Sequence, residues 1–557
     1  MERFYTILKD IRKENGYAQQ QIADILGIIK KNKIKLFIFF ALIFCANSIF
    51  SQNFPPSKKP TLAVMIAIDG LQSEHLATLW DGFESGGFKR AVNSGFFTPN
   101  GLFNYVSTSY VSDYASIFTG TTPSNHGIVS DKIYSLLDDD LISIVADGKF
   151  YGLSTNVGRS PKNLMTTTIA DALKFANSQS KAFSIGLTPE AAILMGGHSA
   201  DGAVWIDDEG FIGSSDFYKK MPFWADRINI VGMSSSYLQA KWRPKAALYT
   251  YLFPPFFITS DNYFYLPDSK KTSDLVKNFR QIPSANSLIK DMAVNALRNE
   301  NLGKDNNPDL LCINFTLMPV NQNFAELNSA EKEDIYLNLD RDLYDLFNQI
   351  EQNVGLANTL IVITGTQTEK YSAKTLSSSN LSVGKFDGKR SMALLNSFLM
   401  AKYGQGRWIL SYNAKQITIN QSLIKEKKVN TEEIKSEICN FLKELQGVKF
   451  AFPSDELYKI SGEKNDMLIR LKNSLFPNRS GDITLVLKEG WQDTNIDLEP
   501  SLITSVSPNY APVMIFGMNI AAKKEQKNID IIDIAPTICR LLQIPLPNGC
   551  TGVFFDW

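Results

Sequence analysis

TLAVMIAIDG, residues 61–70, is an unbroken apolar run that ends in Asp69-Gly70. A strand with one wet face alternates apolar and polar residues. A run with nothing polar from Leu62 to Ile68 fits a strand covered on both faces, as in a parallel sheet. LLCINFTL (310–317), NTLIVITGT (358–366) and APVMIFGMNI (511–520) repeat the pattern. Between two of them lies AEKEDIYLNLDRDLYDLFNQIEQNVG, whose Ile335, Leu339, Leu343 and Leu346 fall at helical spacing. SEHLATLWDGF (73–83) also has helical spacing, and IDIIDIAPTICRLLQI begins a helix with Asp533 placed to cap it. Buried strands joined by helices predict an α/β sandwich, a central largely parallel sheet between helix layers. Chemistry in such sheets gathers at the C-terminal strand ends, so Asp69, Thr366 and the loop after Leu317 are the positions that matter.

The 557 residues carry 57 basic and 57 acidic side chains, a formal net charge of zero. That balance gives no basic stripe for a nucleic acid. Lys30, Lys31, Lys33 and Lys35 precede an apolar run from Leu36 to Ala46, followed by small and polar residues. This is the layout of a secretory signal over residues 29–52, with cleavage near Ser51 or Gln52. The apolar core is shorter than the roughly 20 residues a spanning helix needs, so no stable membrane span is expected after cleavage. Bulky Phe44 argues against lipid modification of Cys45. The expected location is exported, periplasmic or outer-surface. Cys312, Cys439, Cys539 and Cys550 then remain, none at metal-ligand spacing, and an exported protein accommodates either disulfides or buried thiols.

Residues 1–28 resemble the first two helices of a helix-turn-helix repressor, with Gly16, Gln20, Ile22, Ala23, Leu26 and Gly27 at the turn and packing positions. The lysines of the signal replace the recognition helix, so nothing is left to enter a major groove. This piece reads as an upstream extension or a mis-set start, not a DNA-binding domain. Residues 53–557 form the main domain. YSAKTLSSSNLSVGKFDGKRS (371–391) reads as a long polar surface loop. The following ITINQSLIKEKKVNTEEIKSEICNFLKELQGVKFAF reads as strand, helix and strand, a small cap or insertion within about 371–480.

Seven segments in order carry a family resemblance. They are AIDGLQ (67–72), GGFKRAVNSGF (86–96), YASIFTGTTPSNHGI (114–128), SPKNLMTTTIADALK (160–174), AAILMGGHSADGAVWID (191–207), EDIYLNLDRDLYDLF (333–347) and DIAPTICRLLQIPLP (533–547). Together they resemble the alkaline phosphatase superfamily, in the bacterial phosphatase branch close to type I phosphodiesterases and nucleotide pyrophosphatases. The resemblance implies two zinc ions, held by three aspartates and three histidines, and a metal-activated threonine or serine that attacks phosphate.

Position by position, the chain departs from that pattern. Asp69 matches the first metal-binding aspartate. The nucleophile position is Tyr110, four residues before Tyr114, where the family has the His of Gly-His-Ala-Ser. The phosphate-clamp positions are Asp131, Thr188 and Glu190, where the family has Asn, Lys and Arg. The family's Asp-His pair after the third strand becomes Thr366-Gln367. TLMPVNQNF, after the strand at 310–316, has neither aspartate nor histidine for the family's Asp-x-x-x-His pair, and SLITSVSPNY has no last histidine. The whole chain has three histidines, His75, His126 and His198, none at a ligand position of the family. The expectation is therefore a phosphatase fold without its zinc pair or its chemistry, binding an unidentified ligand or protein partner. The alternative is a divergent phosphoric-ester hydrolase, in which Asp69, Asp113, Asp131 and Glu190 gather one Mg²⁺ or Ca²⁺ and Thr108 or Ser109 attacks.

Overall fold

The computed structural model describes residues 59–557 except 107–108, 239–240, 256–257, 265, 267–268, 319–328, 368–382, 463–465, 494–507, 519 and 556–557. The signal-like and repressor-like segments lie outside the described residues. So do Thr108 and most of the loop expected at 371–391.

An 11-stranded sheet runs through the molecule. Its main strands are β1 (Leu62–Asp69), β2 (Phe96–Phe103), β3 (Ala182–Gly186), β4 (Gly202–Ile206), β5 (Ile212–Ser215), β6 (Asp309–Thr316), β7 (Thr359–Gly365) and β8 (Asn509–Gly517). They lie in the order β2-β8-β7-β1-β6-β3-β4-β5. The five central strands are parallel, whereas β8 is antiparallel to both neighbours and β5 to β4. The fold is thus the expected α/β sandwich with a mixed, mostly parallel sheet.

All eight residues of β1 are buried, and their alternation explains the run that opened the sequence. Leu62, Val64, Ile66 and Ile68 enter one core layer, while Ala63, Met65 and Ala67 enter the other. Both faces are dry, so period-2 polarity disappears even though period-2 packing remains. The first layer packs α3 (Pro283–Asn299) and α4 (Ala330–Asn353). The second packs α1 (Tyr110–Thr119), α2 (Pro189–Gly196) and α5 (Ile534–Leu542). Burying a Leu, Ile or Val side chain contributes about 1.5–3 kcal/mol, so these layers supply most of the driving force.

Details depart from the sequence expectation. SEHLATLWDGF splits into a helix at Ser73–Thr78 and a 3-10 turn at Trp80–Gly82. Asp533 makes no side-chain cap to α5; its carboxylate accepts the amide of Val553 instead, at 2.8 Å. The expected cap helix is two helices, Gln421–Lys427 and Thr431–Lys443, because Lys428 turns left-handed between them. A helix also begins at Gly388, inside the expected loop. The strands Ile409–Asn413, Gln416–Ile419, Val448–Pro453 and Ile483–Leu487 form a separate four-stranded sheet over its own apolar cluster.

All four described cysteines are free thiols, three of them buried. Among the described residues no helix is long and apolar enough to cross a membrane.

Candidate functional site

Register brings the polar residues together. Asp69 pairs with Thr316 across β1 and β6, and Ile68 pairs with Gly365 across β1 and β7, so Thr366 lands beside Asp69. Gly70 then turns with φ +77°, a left-handed conformation that favours glycine, with the Met318 sulfur 2.6 Å from where a Cβ would stand. Above these strand ends stands α1, which carries Asp113 and Tyr114 in its first turns and buries nine of its ten residues.

Three donors converge on the buried carboxylate of Asp69. The Tyr114 hydroxyl donates to Oδ2 at 2.7 Å and the Asn314 amide donates to the same oxygen at 3.1 Å. The Thr366 hydroxyl reaches Oδ1 at 3.3 Å. Asn314 also contacts the Tyr114 hydroxyl at 3.3 Å and accepts the Leu187 amide at 3.2 Å, so one side chain links β6 to the start of α2. Asp113, fully buried, is held in the same way. Gln367 donates its backbone amide to Oδ2 at 2.8 Å and its side-chain amide to Oδ1 at 3.0 Å, and Tyr105 donates its hydroxyl to Oδ1 at 2.8 Å. Burial and the Asp113 charge push the Tyr105 phenol well above its ordinary value, so it remains a donor. Adjacent residues Thr366 and Gln367 thus address one carboxylate each. Networks of this kind strengthen every bond in a dry interior, and they penalise any missing member.

The other sequence candidates have the following places in the structure. Tyr110 is the first residue of α1, and its half-buried ring packs against the second core layer. Ser109, before it, is buried. Thr188 caps α2, its hydroxyl accepting the Ala191 amide at 3.3 Å. Glu190 accepts the Ser143 hydroxyl at 2.8 Å and faces the Arg159 guanidinium at 3.6 Å, so it is engaged away from Asp69. Asp131 is half-buried, and its carbonyl accepts the Ile144 amide. Among the described residues, no three His, Cys, Asp or Glu side chains are placed to share a metal ion.

The histidines are built into the scaffold. The His126 Nδ1 accepts the Ile128 amide at 3.1 Å, which leaves Nε2 to donate to the Ser116 hydroxyl at 2.9 Å. Burial depresses its basicity to about 3, so the ring stays neutral. His198 pairs with Asp171, and His75 stacks on Tyr336 at 5.4 Å.

Sequence reading missed Tyr105, Tyr114, Asn314 and Lys332. Asn314 had a visible signal, as the lone amide inside LLCINFTL. Lys332 had none, because its role arises from burial. Its ammonium donates to the Leu317 carbonyl at 2.6 Å over the Tyr336 ring, and burial lowers its basicity to about 7.

Comparison with known proteins agrees with this architecture. A Myroides odoratus protein named calcium-transporting ATPase is 30% identical over 529 residues, covering 89% of this chain and 94% of that protein. Alkaline phosphatase PhoV of Synechococcus elongatus is 29% identical over 557 residues, covering 93% and 98%. The crystal structure of alkaline phosphatase PafA superposes with a TM-score of 0.81 at 27% identity, covering 90% of this chain and 99% of that one. The family model for type I phosphodiesterase / nucleotide pyrophosphatase matches residues 63–506. With that span of match and that shared fold, the chain belongs to the type I phosphodiesterase / nucleotide pyrophosphatase family, within the alkaline phosphatase superfamily.

Proposed function

We propose that this chain is a family member without two-metal phosphoryl transfer, a pseudophosphatase that keeps the fold as a binding scaffold for a ligand or partner. One observation carries the reading: hydrogen-bond donors from Tyr114, Asn314 and Thr366 occupy the Asp69 carboxylate, the one metal-binding aspartate the family pattern retains here. A zinc site needs anionic or imidazole ligands converging on one point. Here a phenol, an amide and a hydroxyl converge on the carboxylate itself, so the residues at these strand ends do not fit a zinc pair. Tyr110 at the nucleophile position and Asp131, Thr188 and Glu190 at the clamp positions support the same reading. Asp131 and Glu190 replace phosphate-attracting groups by anions, Thr188 replaces a cation by a neutral hydroxyl, and Tyr110 replaces the small hydroxyl by a phenol whose ring takes up the space of phosphate and metals. The signal-like residues 29–52 support export.

The second reading, a divergent phosphoric-ester hydrolase with another metal or nucleophile, draws on the relatives named alkaline phosphatase and on Ser109 beside Tyr110. One experiment separates the two. The purified full chain is assayed on 4-nitrophenyl phosphate and bis(4-nitrophenyl) phosphate with added zinc, magnesium or calcium, alongside a measurement of bound metal. The proposal expects no turnover above a buffer blank and no stoichiometric zinc. Metal-dependent turnover that disappears in Asp69→Ala sinks it.

A further inference from the structure

A cleft opens where the four-stranded cap sheet meets the core. Its core wall includes Val106 and Ile133, and its cap wall includes Leu471, Leu475 and Val486, which together give it an apolar body. Hydroxyl and amide groups of Ser130, Asn413, Ser480 and Thr484 stand among them. The charged residues in the lining are Lys415 and Arg479; no aspartate or glutamate lines it.

Arg479 is held by the core without being neutralised. Its Nη1 donates to the Gly127 carbonyl at 2.7 Å and to the Asn163 carbonyl, and its Nη2 lies 3.2 Å from the Met165 sulfur. Among the described residues no carboxylate pairs with it, and burial alone pulls its basicity down. The fit is built into the His126-Gly127 turn. Gly127 has φ +77°, and a Cβ there would meet Arg479 Nη1 at 2.4 Å. A guanidinium fixed by carbonyls in a partly dry wall keeps its full charge for whatever enters.

Lys415 reaches the cleft through backbone strain. Ala414 and Lys415 form the two-residue turn between Ile409–Asn413 and Gln416–Ile419, with φ +51° and +61°. Such turns ordinarily take Asn-Gly, and a side chain in this region costs of order 1 kcal/mol. The Lys415 carbonyl accepts the Leu485 amide at 2.8 Å, which ties the strained turn to the sheet, and its side chain is buried in the cleft wall.

We propose that the cleft between cap and core is a binding site for a small organic anion, whose charged end meets Arg479 and Lys415 and whose flat apolar body lies on Val106, Ile133, Leu471 and Leu475. This site uses none of the strand-end residues, so it stands whether or not the chain hydrolyses phosphate esters.

The test uses the full chain and two fluorescent probes of nearly one shape, 8-anilinonaphthalene-1-sulfonate and neutral N-phenyl-1-naphthylamine. The sulfonate is expected to bind saturably at one site per chain and at least tenfold more tightly than the neutral amine. Arg479→Met is expected to weaken it at least tenfold. Ser411→Trp, which fills the lining without touching either cation, is expected to abolish it with an unchanged melting temperature. Should Arg479→Met not fold, Ser411→Trp and Lys415→Met carry the test. Binding that survives Ser411→Trp overturns the location. Equal affinity for the neutral probe overturns the anion assignment. Displacement by equimolar inorganic phosphate overturns recognition of the apolar body.

Discussion

Tyr105 belongs to the strand-end cluster and its neighbour Val106 lines the cap–core cleft, yet the two regions are built on opposite principles. At the strand ends, the carboxylates of Asp69 and Asp113 receive donors from Tyr105, Tyr114, Asn314, Thr366 and Gln367. In the cleft, the Arg479 charge receives carbonyls, a sulfur and the face of the Phe476 ring at 5.0 Å, with no carboxylate partner among the described residues, and a turn is strained to bring in Lys415. A saturated cluster stabilises the fold and leaves nothing for a visitor. A strained wall whose cations meet no carboxylate in the cleft lining stabilises little and presents its charge to a ligand. On the proposed reading of the strand ends, the contrast directs the search for function to the region where charged groups line a cleft.

Asp69→Ala gives the largest effect and tests the closed half. It leaves the Tyr114 hydroxyl and the Asn314 amide buried without their acceptor, and a loss of about 3–5 kcal/mol in denaturant unfolding is expected. A change below 1 kcal/mol would break the contrast, since a vacant metal ligand is not expected to hold the fold.

His126 tests the boundary, since it sits under the turn that receives Arg479. Its folded-state pKa of about 3 lies below the ordinary 6.5, so the unfolded chain takes up the proton first as pH falls. Stability is therefore complete above pH 6.5 and falls as pH drops toward 3, by at most about 1.4 kcal/mol per unit from this group. His126→Gln is expected to flatten that part of the pH–stability curve, read by urea melts at pH 7, 5.5 and 4.5.

Lys332 carries the same sign at higher pH. With a folded pKa of about 7, it binds fewer protons in the folded chain between pH 7 and 10, so stability rises with pH across that window. Melting curves should show Lys332→Met gaining on the parent as pH falls from 10 to 7. A constant difference would place the lysine in a wetter setting than its burial indicates.

Tyr114→Phe removes one hydroxyl and is expected to cost about 1–2 kcal/mol. The smallest effect belongs to the cleft and has the opposite sign. Ala414→Gly relieves a left-handed side chain and is expected to stabilise by about 0.5–1 kcal/mol. If it destabilises instead, the turn is not strained and the contrast between the two regions weakens.

The fold was legible because dry strands announce themselves: TLAVMIAIDG, LLCINFTL and NTLIVITGT have no other economical reading. The cap was only partly legible. Its two helices are divided by Lys428 in a left-handed conformation, a conformation the sequence does not signal at a lysine. Asp69 and Thr366 were legible as positions, because strand ends follow from strands. Their partners were not. That Tyr114 reaches Asp69 depends on how α1 docks over β1, a tertiary fact, and Asn314 acts across 245 residues of sequence. Lys415 and Arg479 stand out in no motif, since each matters only through what surrounds it.

The sharing of Asp69 by Tyr114, Asn314 and Thr366 also bears on how the chain can change. Thr366→Asp alone sets a second carboxylate against Asp69 while the phenol and amide still crowd the first. Changing Tyr114 or Asn314 alone strips the carboxylate of a donor and returns no ligand. Every single-substitution route from this cluster toward a metal centre therefore passes through a less stable protein. The cluster is entrenched: its members hold one another in place against mutation as firmly as they hold the strand ends together.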